Sequence, residues 1–189
     1  MDISEISQGF GVGTAGKRKR RVRGSVVRKI QARGKSGNTV QVVEFILGGE
    51  PFAFDLFDIR EVISLTDISQ LPNAPRYIKG IIDLRGIITT IIDLKTLMNL
   101  TDDEKKAKNP RIIILDHIIM GKMIGLLVDD VFSVSTYSSD EIDRNDLSDE
   151  RNNDIIGVIR QHQGDKLDKR ELVILLNIKA IIEKIEKDI

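Results

Sequence analysis

The amino-acid sequence predicts a mainly β protein whose short antiparallel strands close into barrels or pack as a sandwich. Three observations point there. Tryptophan is absent and aromatics make up 4%, so β-branched isoleucine and valine must fill much of the core, which suits a pleated surface. Apolar runs are short and are interrupted by turn residues every 6–12 positions. Amphipathic stretches long enough to cross between parallel strands are missing outside the C-terminus.

The elements follow in order from Thr39. "TVQVVEFILGGEPFAFDL" is a hairpin about Gly48-Gly49, with Pro51 at a strand start or edge because it lacks an N–H. "FDIREVIS" reads as a helical turn or an irregular strand, and "LPNAP" as a rigid turn, since each proline disfavours helix at the residue before it. Next come a strand at Ile81–Asp83, a tight turn through Leu84-Arg85-Gly86, a strand at Ile87–Ile92 and one or two helical turns to Leu100. "TDDEKKAKNP" is a solvated loop. A second hairpin turns at Met120-Gly121-Lys122 and leads to a further strand. Positions 136 to 153 are polar and acidic and read as a loop. "DIIGVIR" and "ELVILLNI" are strands flanking a Gly164-Asp165 turn, and "KAIIEKIEKDI" is a helix with Ile181, Ile182 and Ile185 on one face. A weak internal echo links "AFDLFDIREV" to "GLLVDDVFSV", each placing an apolar strand before an Asp and a later valine.

Charge divides the chain. Of 29 basic and 29 acidic residues, ten and two fall within positions 1–39, giving that end about +8 and the remainder about −8. Residues 1–38 therefore read as a basic, disordered arm that seeks an acidic surface, and 39–189 as the globular part. Zero cysteines exclude disulfides and thiolate metal sites. Neither an apolar run of membrane-spanning length nor a secretory h-region occurs, so a cytoplasmic location is expected.

"GVGTAGKRKR" fits two phosphate-loop patterns through Gly11, Gly13, Gly16 and Lys17. Both patterns need a buried strand before the glycines and a helix after them, and neither flank has that character. Arg18 stands where the Walker pattern requires Ser or Thr, and no acid follows Glu5 until Glu44. Catalytic groups are similarly sparse. His117 and His162 lack metal-ligand spacing, no G-x-S-x-G elbow occurs, and Asp129-Asp130 would point to opposite faces of a strand. A binding module, with no cofactor and no catalysis, fits this inventory better than an enzyme.

Three blocks carry a family resemblance: "FILGGEPFAFDLFDIREV", "LPNAPRYIKGIIDLRGIITTIIDLK" and "IGLLVDDVFSV". In order and spacing they resemble the CheW family of chemotaxis coupling proteins, over about residues 40 to 180, with "NAPRYIKGIIDLRG" the most specific part. The resemblance implies two packed, SH3-like, five-stranded barrels. It implies an adaptor that links membrane chemoreceptors, through their cytoplasmic tip, to the regulatory domain of the histidine kinase CheA, within receptor arrays and without catalysis or cofactor.

The resemblance also implies partner-binding residues. Arg85 matches the arginine of the "LRG" turn, and Ile59 and Glu61 match positions associated with receptor contact. Gly80 matches the "IKG" glycine, and Val134 a valine that affects coupling. Four of them have a plainer alternative: local carbonyl bonding for Arg85, core packing for Ile59 and Val134, a backbone requirement for Gly80. The chain departs from the family pattern at Asp83, at Thr89-Thr90, where proline is usual, and at Lys95, where arginine is frequent. A competing reading is a nucleic-acid-binding barrel that uses the arm, but stacking platforms need aromatics and the arm offers only Phe10. For the arm the expectation is electrostatic contact with anionic membrane or an acidic protein.

Overall fold

A computed structural model describes residues 39–100, 109–119, 121–144, 153–160 and 172–187. The arm, residues 101–108 of the loop that ends at Pro110, Met120, residues 145–152 of the expected acidic loop, His162 and the Gly164-Asp165 turn lie outside them.

The chain forms two sheets, one nested in the sequence of the other. β1 (Thr39–Leu47) and β2 (Glu50–Asp55) make the first hairpin, turning through Gly48 and Gly49 at φ 61° and 88°. A 3-10 turn at Leu56–Asp58 then carries the chain into the second sheet, built from β3 (Ile59–Ser64), β4 (Ile78–Leu84), β5 (Ile87–Asp93), β6 (Arg111–Ile119) and β7 (Lys122–Val128). β8 (Asp130–Ser138), β9 (Ile142–Asp143), β10 (Ile155–Arg160) and β11 (Leu172–Leu176) return to the first sheet, followed by helix α2 (Ile178–Lys187). A single-turn helix α1 (Leu94–Leu97) follows β5.

Strand order is β8-β1-β2-β11-β10-β9 in the first sheet and β3-β6-β7-β5-β4 in the second. Pairing is antiparallel except for β2 with β11 and β5 with β7. Both sheets curl towards closure. In the first, the outer strands β8 and β9 are consecutive in sequence, joined by the 3-10 turn Ser139–Glu141. In the second, the chain leaving β3 reaches across to β4, where Ser69 and Ile81 exchange backbone hydrogen bonds of 2.9 and 2.8 Å. The two β units expected from the resemblance are thus present, one of five strands and one whose sixth strand is the two-residue β9.

Alternation explains the packing. Val42 and Ala53 face a small core inside the first sheet with Tyr137, Ile159, Val173 and Leu175. Ile91, Ile112, Ile114 and Met123 fill the second. The opposite faces, including Val43, Phe45, Phe54, Ile92, Ile113, Leu115 and Leu126, form the largest core between the sheets, and α2 adds Ile178, Ile181 and Ile185. The rings of Phe45 and Phe54 stack at 4.9 Å. Asn177 caps α2, its Oδ1 accepting from the N–H of Lys179 at 3.2 Å.

One sequence expectation needs correction. Positions 136–143 are not loop: β8 runs to Ser138, a 3-10 turn follows, and β9 pairs Ile142 and Asp143 with β10. The polar character misleads because alternate residues face solvent while Tyr137 is buried, and Ser138 and Glu141 stabilise the turn through bonds of 2.8 and 2.9 Å. The internal echo has a structural meaning: its two copies span the two crossovers between sheets, β2 to β3 and β7 to β8. At each an aspartate accepts a backbone N–H, Asp55 from Phe57 at 2.9 Å and Asp129 from Gly48 at 2.7 Å.

Candidate protein-docking site

The β4–β5 hairpin closes through two residues, Arg85 and Gly86, at φ 57° and 83°. Positive φ at both positions is the turn whose twist matches paired strands, and it normally selects Asn-Gly or Asp-Gly. A non-glycine side chain in the left-handed region is strained, and such strain gathers at functional positions. Asp83 supports the turn by accepting from the Gly86 N–H at 2.6 Å. The turn projects Arg85 so that Nη2 meets Glu61 Oε2 at 3.1 Å. Glu61 is 11% exposed and Arg85 is 68% exposed, so the carboxylate anchors one edge of a guanidinium that otherwise faces water.

Glu61 reaches that position because β3 carries a bulge at Arg60: Ile59 pairs with Leu115, and Glu61 with Ile114. Arg60 turns towards β6 and β7, with Nε 3.8 Å from Asp116 and Nη1 3.4 Å from the Met123 sulfur. The parallel register of Thr89 with Met123, and that of Ile119 with Lys122, bring the β4–β5 and β6–β7 turns to one end of the sheet. Large apolar side chains stay exposed there: Ile87 at 48%, Ile88 at 54% and Ile118 at 68%, with Phe57 at 53% on the crossover before β3. Exposed apolar side chains interspersed with exposed Arg60, Arg85, Asp116 and Lys122 give this end the make-up of a protein-binding surface.

The expected site residues are thus partly assembled. Glu61 and Arg85 touch. Ile59 lies on the same strand as Glu61, half-buried against the core between the sheets. Gly80 lies on β4 at φ 143°, where a Cβ would come within 2.2 Å of the Ser69 carbonyl oxygen, so the backbone itself requires glycine at the bridge that joins the sheet's edges. Val134 sits on the other sheet, paired with Val43 and packed against the edge of the shared core. Sequence reading missed Phe57, Ile87, Ile88 and Ile118. The available signal was an apolar run starting at once after a tight turn in "RGIITTII", which leaves its first residues beyond the neighbouring strand.

Asp129 and Asp130 have separate partners, as their opposite-facing positions suggested. Asp129 Oδ1 lies 3.0 Å from Lys95 Nζ, whereas Asp130 accepts from Asn109 at 3.1 Å. Beside them, a cleft of about 230 Å³ is lined by Lys79, Asp93, Lys95 and Asp129, each lysine paired with one of the aspartates. His117 Nε2 stands 3.9 Å from Asp58 on the crossover. Burial, then the Asp55 carboxylate, pushes Asp58 above its ordinary range, while His117 and Lys179 pull it down.

The family profile described as CheW-like domain matches residues 41–186. The chain belongs to the CheW-like family. It is 30% identical over 149 residues to the chemotaxis protein CheW of Thermotoga maritima, covering 77% of this chain and 89% of that one. The CheW of Helicobacter pylori is 26% identical over 147 residues, covering 77% and 82%. Among solved structures, the scaffolding protein TtCheW from Thermoanaerobacter tengcongensis superposes with a TM-score of 0.63 at 30% identity, over 79% of this chain and 97% of that chain. Family and fold agree with a chemotaxis adaptor.

Proposed function

We propose that the chain couples membrane chemoreceptors to a CheA-type histidine kinase by binding the kinase regulatory domain and the receptor tip, without covalent chemistry. The observation that carries this reading is the Arg85–Glu61 pair at an end that exposes apolar side chains. A desolvated apolar centre supplies affinity, and a guanidinium held by one edge presents its remaining donors to a partner's carboxylates or carbonyl oxygens. Ile59 and Val134, bordering the core between the sheets, are the contacts of a second surface, and Gly80 serves binding only by keeping the second sheet closed. On this reading the protein works in the cytoplasm at receptor arrays. The basic residues 1–38 add electrostatic contact with anionic membrane or acidic protein segments. Nothing in the fold or the relatives favours nucleic-acid binding.

The test is calorimetry with a purified kinase regulatory domain and a receptor-tip fragment. Both should bind the native chain, and Arg85→Glu should weaken at least one by about 10- to 100-fold with an unchanged circular dichroism spectrum, the loss typical of a hot-spot arginine. Absence of binding to either fragment refutes the proposal.

A further inference from the structure

β1 is a strand whose pattern does not specify its own register. Where one face of a strand is buried, a slip exposes its apolar side chains and is resisted. Both faces of β1 are covered: Val42 points into the core of the first sheet, Val43 and Phe45 into the core between the sheets. After a slip the apolar side chains of β1 would still face one core or the other, so burial of β1 alone does not set its alignment with β8.

Glu44 is completely buried among those side chains. Ser133 Oγ donates to its Oε2 at 2.8 Å and the Tyr137 hydroxyl to its Oε1 at 2.5 Å. Among the described residues, no lysine or arginine pairs with it. Ser133 is its direct partner in the ladder, and the register shifts at the next step, where Phe45 faces Val131 and Phe132 is the extra residue of a bulge. We propose that Glu44, Ser133 and Tyr137 are the register key of the first sheet, positioning β8 so that Val134 stands opposite Val43. A one-residue slip sets Glu44 beside side chains of the wrong face. A two-residue slip brings it opposite Ser135 and puts Ser139 where Tyr137 stands, which removes the phenol donor. Either leaves a buried polar group short of a partner, the kind of defect that rejects alternative pairings. The proposal does not depend on which partners the protein binds.

Amide hydrogen exchange and cross-strand contacts measured by NMR on the full chain test it. Glu44→Gln, which keeps an acceptor, should retain one set of resonances and the Val43–Val134 contact. Glu44→Leu should fold but show a second set of resonances over residues 131–138 and exchange there at least about tenfold faster, with Ile112–Leu115 at native rates, a local opening in place of a global one. If Glu44→Leu does not fold, the double variant Ser133→Ala/Tyr137→Phe decides by the same readout. A single native register with unchanged exchange overturns the proposal, as does equal disturbance by the Gln and Leu variants.

Discussion

Replacing Gly80 by alanine tests whether the closure of the second sheet is as tight as its geometry indicates. The added Cβ would sit 2.2 Å from the Ser69 carbonyl oxygen and 2.7 Å from Ile68 Cγ2. Backbone, unlike the end of a flexible side chain, cannot step aside cheaply. Holding a non-glycine residue at φ 143° costs about 1–3 kcal/mol. Separating Ser69 from Ile81 gives up two hydrogen bonds worth about 1 kcal/mol each. The expected loss is therefore about 3–5 kcal/mol, a large part of the roughly 5–15 kcal/mol that holds a typical domain together. In urea, with a slope of about 2 kcal/mol per M, the midpoint should fall by about 2 M. The melting temperature should fall by about 10 °C, since each kcal/mol moves a domain of this size by about 2–4 °C. Binding of the kinase fragment should fall only in proportion to the unfolded fraction. A midpoint within about 0.5 M of the native one would refute the close approach, and full stability with lost binding would make Gly80 a contact residue.

Arg85→Gly should stabilise the chain by up to about 1 kcal/mol in urea, because the turn no longer holds a side chain in the left-handed region, while partner binding is lost; a destabilised variant would mean that the pair with Glu61 outweighs the strain. Ile118→Asp should leave stability within about 0.5 kcal/mol, since the side chain is 68% exposed, and should weaken calorimetric binding; unchanged affinity removes that end from the docking surface. Asp58 has its carboxyl raised above the ordinary 3.8, so the folded state holds the proton more tightly than the unfolded chain. Its contribution to stability falls as pH rises through that window. Asp58→Asn should accordingly raise the urea midpoint at pH 7, with the gain vanishing at about pH 4 and below; the same shift at both values would contradict the assignment.

Much of the fold was legible because turn chemistry is local. Gly48-Gly49, Arg85-Gly86 and Gly121 mark three hairpins, and the spacing of Ile181, Ile182 and Ile185 marks α2. The division of strands between sheets was not legible. It depends on parallel pairings such as Ile174 with Phe52, formed between residues more than a hundred positions apart, for which an all-apolar strand carries no address. In the site, Arg85 and Glu61 emerged from motif similarity, but their contact required the bulge at Arg60, which no local pattern announces. Glu44 was not legible either: it stands inside the apolar run "TVQVVEFIL", which does not show that the side facing Ser133 and Tyr137 is covered.

The nesting of one sheet inside the other constrains how the chain is made. Residues 59–128 contain every strand of the second sheet, so that unit can close as soon as they have left the ribosome. The β1–β2 hairpin emerges earlier yet must wait for β8 and β11, since both of its outer edges are completed by later segments. At about 5–20 residues per second, synthesis of the roughly 60 residues from Asp130 to α2 takes about 3–12 s. During that interval the face of the hairpin that carries Val42 and Ala53 and two unpaired strand edges stand open, a template for pairing with a neighbouring nascent chain. The early closure of the inner unit gives the hairpin one apolar face to rest on, and slow-codon or truncation variants ending before β8 should be the forms of this protein that aggregate.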